Sequence, residues 1–460
     1  MTQAQNDPPA SPTGDGTQDP KEASPTRQLT EDEVFVLDLR QSFQDFYVKQ
    51  SEILRVAGYV DDKQVELDDK RENARKMLIA ELDDELNEGV FDRLMDLLSW
   101  PILEGAPVQE GDTELGRENF VRIYQDLIAE APDGHFPAYL DVAMRAQWAE
   151  PSGDLLYGSL LVTLVGALET MINEVARLTV KRVPSTLATS ERSWTWAELS
   201  VFESLDQARD DAVDKMVDKL FRGSLNDWID FFVEKYKISP IAAAKTFEAQ
   251  EIIQRRHCIV HNGGRASPQY DANLKQYGRP KAQGEQLNVD LDYLRRASDQ
   301  TLLIAYSLVW SLTAKLCASG KTRDRMWAYL TDMTYRLLQA QRFDLVKEIG
   351  RMAPRDALSE QNSLTIQINT WLAHKFDGSF DEVRDQVSDF DIMAKSKVFQ
   401  LAKLALLDDH EKASSLAEAM MRDQELPRSY YLTWPLLAGT REYQRTHSDS
   451  NQLDKPPVEP

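Results

Sequence analysis

The stretch from Leu155 to Val183 constrains the fold most strongly, because its apolar residues lie on every side of a helix rather than on one face. A helix of this kind has to be covered all round, so we expect it at the centre of a helical domain. Its longest uncharged run, from Leu155 to Leu168, has fourteen residues. A membrane-spanning helix needs about 20. We therefore predict a core helix and no membrane-spanning segment.

The apolar residues elsewhere recur at the spacing of amphipathic helices, and no alternating runs flank Asn-Gly or Asp-Gly turns. The sequence therefore predicts an all-α fold. We divide the chain into a disordered tail at 1–29, an acidic helical domain at 30–150, a central helical bundle at 151–320, a helical-repeat domain at 321–446 and a second disordered tail at 447–460. Thr30, followed by three acidic residues, is typical of a helix N-cap.

The charge of the chain is unevenly distributed. The net charge is −23, and residues 31–150 alone hold 29 acidic against 12 basic residues. A general nucleic-acid coat protein is disfavoured, because phosphate binding needs a basic surface. Cys258 and Cys317, the only cysteines, cannot form a disulfide framework for 460 residues. With no secretory signal at the N-terminus, we expect a protein of the reducing cytoplasm.

The C-terminal part contains a weak internal repeat. Turn positions at Arg342, Ser379 and His410 are 37 and 31 residues apart, each between two helical segments. This spacing is similar to that of tetratricopeptide-type repeats, about 34 residues. The resemblance implies a regulatory protein partner bound through residues 321–446. An ordinary helical bundle remains the alternative.

One helix carries residues that could bind an anion or transfer a proton. We expect it to start at Ser239-Pro240 and to end at Asn262-Gly263-Gly264, because proline favours the first helical position and glycine follows helix ends. On an ideal helix, Arg256 falls in the middle of an apolar face, with His257 at its edge and His261 beside it. The four residues that define this face are Ile252, Ile253, Ile259 and Val260.

An arginine among apolar residues needs a partner, because it cannot escape burial by losing its charge. Either a buried carboxylate or an incoming anion can serve. Arginine binds phosphate oxygens in a bidentate fork, and histidine transfers protons near neutral pH. His261 also lies in the last helical turn, where the helix dipole favours its protonated form. Residues 245–281 hold seven basic and three acidic residues, so the surroundings are basic.

The segment Arg256-His257-Cys258-Ile259-Val260-His261-Asn262 resembles the signature of HEPN domains, an arginine, a polar residue and a histidine after four to six positions. Four residues separate Arg256 from His261. Arg255 gives an alternative register, with five between. An apolar helix with Glu169, a polar loop after the motif and a long helix from Leu291 to Cys317 match the family, so the resemblance covers about 151–320.

The resemblance implies a metal-independent endoribonuclease that acts on RNA as a homodimer without a cofactor, in phage defence, toxin–antitoxin systems or RNA stress responses. It implies three sets of residues: Arg256, His261 and His257 as catalytic residues; Arg255, Asn262 and Arg265 as substrate-binding residues; and Glu169 and Asn173 as supporting residues.

Other interpretations of the same residues stay open. Arg256 can be the partner of a structural salt bridge, and His261 can make a helix-end hydrogen bond. His257 and His261 share a face, but a third metal ligand is not evident nearby, so we expect no metal. Cys258 lacks the surroundings of a nucleophile. The alternative function is a non-catalytic helical sensor or scaffold that dimerises or binds a nucleotide or a protein partner.

Overall fold

The computed structural model of the chain describes residues 28–82, 88–98, 113–131, 135–148, 152–189, 194–278, 281–353, 357–391 and 395–453. Within these ranges the chain forms twenty α-helices and no β-strand. The only sheet-like pairing there is one isolated antiparallel bridge between Arg265 and Gln286. The predicted all-α fold is therefore confirmed for the described residues. Residues 1–27 and 454–460 of the predicted tails lie outside them.

The helices of the first half are α1 (Glu31–Leu67), α2 (Lys70–Leu82), α3 (Glu88–Leu98), α4 (Thr113–Glu130), α5 (Phe136–Trp148), α6 (Ser152–Arg182), α7 (Trp196–Leu199), α8 (Leu205–Leu220), α9 (Leu225–Tyr236) and α10 (Phe247–His261). Those of the second half are α11 (Pro268–Leu274), α12 (Leu291–Leu316), α13 (Gly320–Gln339), α14 (Phe343–Met352), α15 (Glu360–Phe376), α16 (Arg384–Asp389), α17 (Lys397–Leu406), α18 (His410–Arg422), α19 (Arg428–Thr433) and α20 (Ala438–Leu453). Because α20 extends to Leu453, the predicted tail from 447 begins inside a helix.

Three long helices, α1, α6 and α12, form the centre of the molecule and pack on one another. α1 begins where the sequence predicted: Thr30 is its N-cap, and the Thr30 Oγ1 accepts a hydrogen bond from the Glu33 backbone N–H at 3.2 Å. α6 also contacts α8 and α10. Leu161, Leu168 and Ile172 of α6 are fully buried, whereas Leu155 is 63% exposed, so the helix is covered on one side and not all round as predicted.

α6 also meets the length and composition of a membrane span, although the sequence analysis predicted none. It is the one helix in the described part of the chain that does so. The prediction counted only the run before Glu169, whereas a span tolerates one or two charges. About 44% of the apolar window in α6 is buried within the protein, against α1, α10 and α12. The helix therefore packs against the other helices along one side and leaves another side exposed.

Helices α2 to α5 have an apolar core of their own, which includes Leu78, Phe91 and Tyr139. α1, which we expected in the same domain, instead buries Leu39 and Phe43 in the core that it shares with α6 and α12. α1 and α6 are both long, with 37 and 31 residues. The apolar face of α1 can therefore be covered along its length by α6, and such a face is stable only when it is covered. The proposed domain boundaries stay predictions.

The C-terminal helices pack as successive neighbours: α13 with α14, α14 with α15, and α17 with α18. Left-handed residues lie at the three predicted turns, Gln341 (φ 58°), Gly378 (φ 83°) and Asp408 (φ 61°). A left-handed residue reverses the chain at a helix end, which explains why the turns recur at similar spacing. The resemblance to tetratricopeptide repeats remains a prediction.

The turn residue Arg342 attaches this array to the central helices. Its guanidinium donates to Gln50 Oε1 of α1 at 3.0 Å and to Ser298 Oγ of α12 at 3.3 Å, and it pairs with Asp299. Gln50 is fully buried and donates to the Ser298 carbonyl oxygen at 2.6 Å. The array is therefore held by buried polar contacts as well as by apolar packing.

Two expectations near the motif helix were wrong. The helix does not start at Ser239-Pro240: a short 3₁₀ turn, Ala242–Lys245, comes first, and α10 begins after the N-cap Thr246. The segment after the motif is not only a polar loop, since Ser267 caps α11 with Pro268 at its first position. Both errors concern a proline that favours the start of a helix. The sequence predicted a helix start at Pro240, where none occurs, and none at Pro268, where one does.

Candidate functional site

α10 ends as the sequence predicted. His261 is its last residue, and Gly263 and Gly264 adopt left-handed conformations with φ of 56° and 74°. The reversed chain brings the Gly264 N–H to the Cys258 carbonyl oxygen at 3.1 Å. A Cβ atom on Gly264 would lie 2.7 Å from the amide nitrogen of Gln286. Glycine is therefore favoured there for its left-handed conformation, and a Cβ atom would in addition displace the end of the Gln286 side chain.

The less exposed arginine of this helix is Arg255, not Arg256. The Arg255 side chain is 12% exposed, and its Nε donates to Glu251 Oε1 at 2.7 Å. Its guanidinium stacks 4.1 Å above the Tyr293 ring and binds the Asn288 carbonyl oxygen. The carboxylate of Glu251 also accepts from the hydroxyls of Tyr270 and Tyr293, at 2.8 and 2.6 Å. This network binds α10 to α11 and α12.

Relative to the predicted apolar face, α10 is rotated so that Glu251, Arg255 and Cys258 face the protein. Val260, which the sequence analysis placed on the covered face, is 49% exposed. Because the guanidinium of Arg255 is engaged inside the chain, we assign to it a structural role. The alternative register of the motif, which starts at Arg255, therefore lacks a free cation.

Arg256 lies at the border between the buried and the exposed side of α10. Its side chain is 29% exposed, and its Nη2 lies 3.3 Å from Glu169 Oε2 of α6. The buried Nε atom of Arg256 has no hydrogen-bond partner among the described residues. Burial raises the pKa of Glu169, and the positive charge of Arg256 partly opposes this effect. Among the described residues, the arginine side chain is thus held by one long contact to Glu169.

His257 and His261 lie on the exposed side of α10. Their ring centroids are 4.6 Å apart with an interplanar angle of 52°, as expected for residues four positions apart. Arg256 and His261 differ by five positions, so they point about 140° apart on the helix. Within one chain the two groups therefore project from different sides of α10. Both remain accessible to an anion or a second molecule.

A cavity of about 750 Å³ lies beside the end of α10. Gly158, Ser159 and Thr163 of α6 form one wall, and Ile259 and Arg265 form part of the other. α6 and α10 approach closely here, since a Cβ atom on Gly158 would lie 3.7 Å from Ile259 Cγ2. The cavity is large enough for a nucleotide-sized ligand.

The other predicted residues lie at different distances from this region. Arg265 is exposed at the cavity, and one of its guanidinium nitrogens donates to the Gly284 carbonyl oxygen at 3.3 Å. Asn262 is exposed and donates to the Arg265 carbonyl oxygen at 2.6 Å. Asn173 accepts from Arg177 Nε at 2.9 Å. Arg177 in turn pairs with Asp214 of α8, so Asn173 belongs to the α6–α8 contact and not to the Arg256 contact.

Sequence reasoning missed the cluster of Glu251, Tyr270 and Tyr293 around Arg255. A usable signal was the spacing of Glu251 and Arg255, four residues apart, which is typical of an ion pair along a helix. It also missed the contribution of Gln286 to the wall of the cavity.

Metal chemistry would need a cluster of ligands, and thiol chemistry an ionised cysteine. In the described part of the chain, no group of three histidine, cysteine, aspartate or glutamate side chains could hold a metal ion. Cys258 and Cys317 are both buried free thiols. Burial raises the pKa of Cys317 to about 11, which keeps that thiol protonated at neutral pH.

No protein-family model matches the chain, and neither the curated proteins nor the solved structures include a match. The resemblance to HEPN domains therefore rests on the motif and its helical surroundings.

Proposed function

We propose that the protein is a metal-independent endoribonuclease of HEPN type, which acts as a homodimer in phage defence, a toxin–antitoxin system or an RNA stress response. One observation carries the proposal: Arg256, His257 and His261 remain accessible, while the adjacent Arg255 is committed to an internal network. For Arg255, contacts with Glu251, Asn288 and Tyr293 supply a structural explanation. For Arg256 it accounts for a single contact at 3.3 Å.

The proposed roles follow from the chemistry of each group. Arg256 binds the phosphate and stabilises the charge that develops on it, because a guanidinium offers a fork of donors. The 2′-oxygen of the ribose attacks the phosphorus while a histidine takes its proton. The bond to the 5′-oxygen breaks as a second histidine donates a proton to that oxygen. His261 and His257 are the candidates for these two steps.

Arg256 and His261 of one chain project from different sides of α10, so one chain alone does not bring them together. In a homodimer, a two-fold axis can bring the arginine of one chain to the histidine of the other. The exposed side of α6 next to Arg256 suits such a contact. Ser159, Thr163 and Thr170 on this side donate their hydroxyls to α6 carbonyl oxygens one turn earlier, at 2.8–2.9 Å. Covering this side therefore leaves no hydroxyl without a partner.

Glu169 fits the same scheme as a resting partner for Arg256. In the absence of RNA, its carboxylate neutralises part of the guanidinium charge. The contact is weak because both groups keep access to water, so an incoming phosphate can replace the carboxylate at small cost.

The test is cleavage of RNA by the purified full chain in the presence of a chelator. We expect products with a 5′-hydroxyl end and a 2′,3′-cyclic phosphate end, mapped by sequencing of RNA ends. Arg256→Ala and His261→Ala should each lower the rate by about 10² or more. Matched controls are Arg445→Ala and His447→Ala, which alter an exposed arginine and an exposed histidine of α20. Equal rates for the motif variants and the controls would refute the assignment.

The second candidate function is a non-catalytic sensor or scaffold, and the ion pair of Arg256 with Glu169 inside one chain favours it. On this view Arg256 only joins α6 to α10. The full chain should then cut no RNA, while Arg256→Ala and Glu169→Ala should weaken the fold equally.

A further inference from the structure

A second cavity, of about 470 Å³, lies among the C-terminal helices, outside the region of Arg256. Tyr335 of α13, Asn369 of α15 and Phe399 of α17 line three sides, and the segment with Tyr430 and Trp434 closes the fourth. No catalytic role has been assigned to these residues. The volume is that of a small-molecule site.

Four aromatic rings line the cavity, and those of Phe399 and Trp434 also pack against the main apolar core. In the described part of the chain, none of the four rings, from Tyr335, Phe399, Tyr430 and Trp434, makes a stacking or edge contact with another ring or with a cation. Tyr430 is 65% exposed. An exposed aromatic side chain at the mouth of a cavity, as Tyr430 is here, can pack on a bound ligand.

The inner wall offers a hydrogen-bond acceptor. Asn369 is 3% exposed, and its Nδ2 donates to Thr334 Oγ1 at 2.7 Å. Thr334 uses its own hydroxyl hydrogen on the Thr331 carbonyl oxygen at 2.6 Å. Thr334 can therefore only accept from Asn369, which fixes the orientation of the amide. The Oδ1 atom of Asn369 accepts no hydrogen bond from any described residue.

Two other hydroxyl groups of the wall also donate their hydrogens to acceptors within the protein. Thr365 donates its hydroxyl to the Gln361 carbonyl oxygen at 2.8 Å, and Tyr335 donates to the Thr433 carbonyl oxygen at 3.4 Å. Burial, with Tyr430 and Asp332 nearby, raises the pKa of Tyr335, so its hydroxyl stays neutral. These residues present lone pairs to the cavity.

Two carboxylates add negative charge to the same wall. Asp332 and Glu425 line the cavity, and each has only a surface ion pair, with Arg336 at 3.2 Å and with Lys397 at 2.9 Å. Exposed pairs of this kind hold their carboxylates weakly. Acceptors, carboxylates and free ring faces together favour a ligand with N–H donors and a positive charge.

We propose that this cavity binds a small organic cation with an alkylammonium or guanidinium group. The ammonium donates to Asn369 Oδ1 and to the carboxylates, and its carbon atoms pack on the rings. The site does not depend on the proposed nuclease, so each can fail alone. A ligand bound in this cavity would allow the C-terminal helices to act as a sensor domain.

The test is titration of the full chain with benzylammonium and with benzyl alcohol, its neutral counterpart of similar shape, followed by calorimetry or ligand-observed NMR. The cation should bind at least tenfold more tightly than the alcohol. Tyr430→Ala and Glu425→Gln should each weaken binding of the cation by about three- to tenfold. Tyr430 is largely exposed, so the first variant should fold. Tyr443→Ala in α20 is the matched control and should bind as the native chain does.

Equal binding of cation and alcohol would overturn the proposal, because an apolar groove alone would explain it. Lack of binding would overturn it as well. A comparison of putrescine with Nα-acetyl-lysine methylamide identifies the source of the cation. Binding of the capped lysine that is more than tenfold tighter than that of putrescine would indicate a side chain on a peptide and refute a small molecule.

Discussion

The two neighbouring arginines of α10 provide the sharpest test of how the structure divides their roles. Arg255→Ala removes the cation next to Glu251, whose side chain is 5% exposed. Breaking a buried pair leaves an uncompensated charge and costs about 3 kcal/mol or more. Arg256→Ala removes a pair whose members are 29% and 27% exposed at 3.3 Å, a loss of about 1 kcal/mol or less.

Hydrogen–deuterium exchange of the amides of α10 measures this difference locally, which matters because a chain of this size need not unfold in one step. A loss of about 3 kcal/mol corresponds to exchange about a hundredfold faster, and a loss of 1 kcal/mol to about fivefold. Arg265→Ala, in an exposed arginine close to α10 in sequence, is the control and should leave exchange unchanged. Equal acceleration by Arg255→Ala and Arg256→Ala would refute the view that Arg255 has a structural role while Arg256 is available to bind phosphate.

Three further outcomes are expected. Gly264→Ala forces a side chain into a left-handed conformation and towards Gln286, so it should destabilise the end of α10 by about 1–2 kcal/mol, seen as faster amide exchange there. Because burial raises the pKa of Glu169 above its ordinary value of 4.5, this group stabilises the folded state at low pH and loses that contribution as the pH rises through the raised pKa; Glu169→Gln should therefore gain thermal stability relative to the native chain as the pH rises above 4.5. Arg342→Ala removes the hydrogen bonds of the C-terminal array to α1 and α12, and limited proteolysis should then cleave the array at least several-fold faster, since buried polar groups lose their partners.

The helical class and several helix ends could be predicted because their causes lie close together in the sequence. Thr30 and the acidic turn after it form a capping box. The length of α6 followed from its apolar composition. Each of these features depends on residues within one or two helical turns, so the sequence pattern contains the physical cause.

The rotation of α10 could not be predicted in this way. Ile252 and Ile259 flank both Arg255 and Arg256, so local periodicity does not decide which arginine is buried. Tyr293 and the Asn288 carbonyl oxygen decide it, since the ring and the carbonyl offer a cation partners on one side only. Those groups are more than thirty residues further along the chain. The packing of α1 on α6 has the same long-range origin.

The intermediate position of Arg256 connects the fold to the proposed chemistry. A fully buried guanidinium would be bound by its internal carboxylate, as Arg255 is by Glu251. A fully exposed one would be surrounded by water, which weakens its attraction to phosphate. At the border of α10, Arg256 is partly shielded from water, keeps an Nε atom without a partner among the described residues, and contacts a carboxylate whose own burial disfavours its charge. A phosphate that replaced Glu169 would therefore gain a strong donor and release a carboxylate from an unfavourable state, and this exchange is the physical basis of the nuclease proposal.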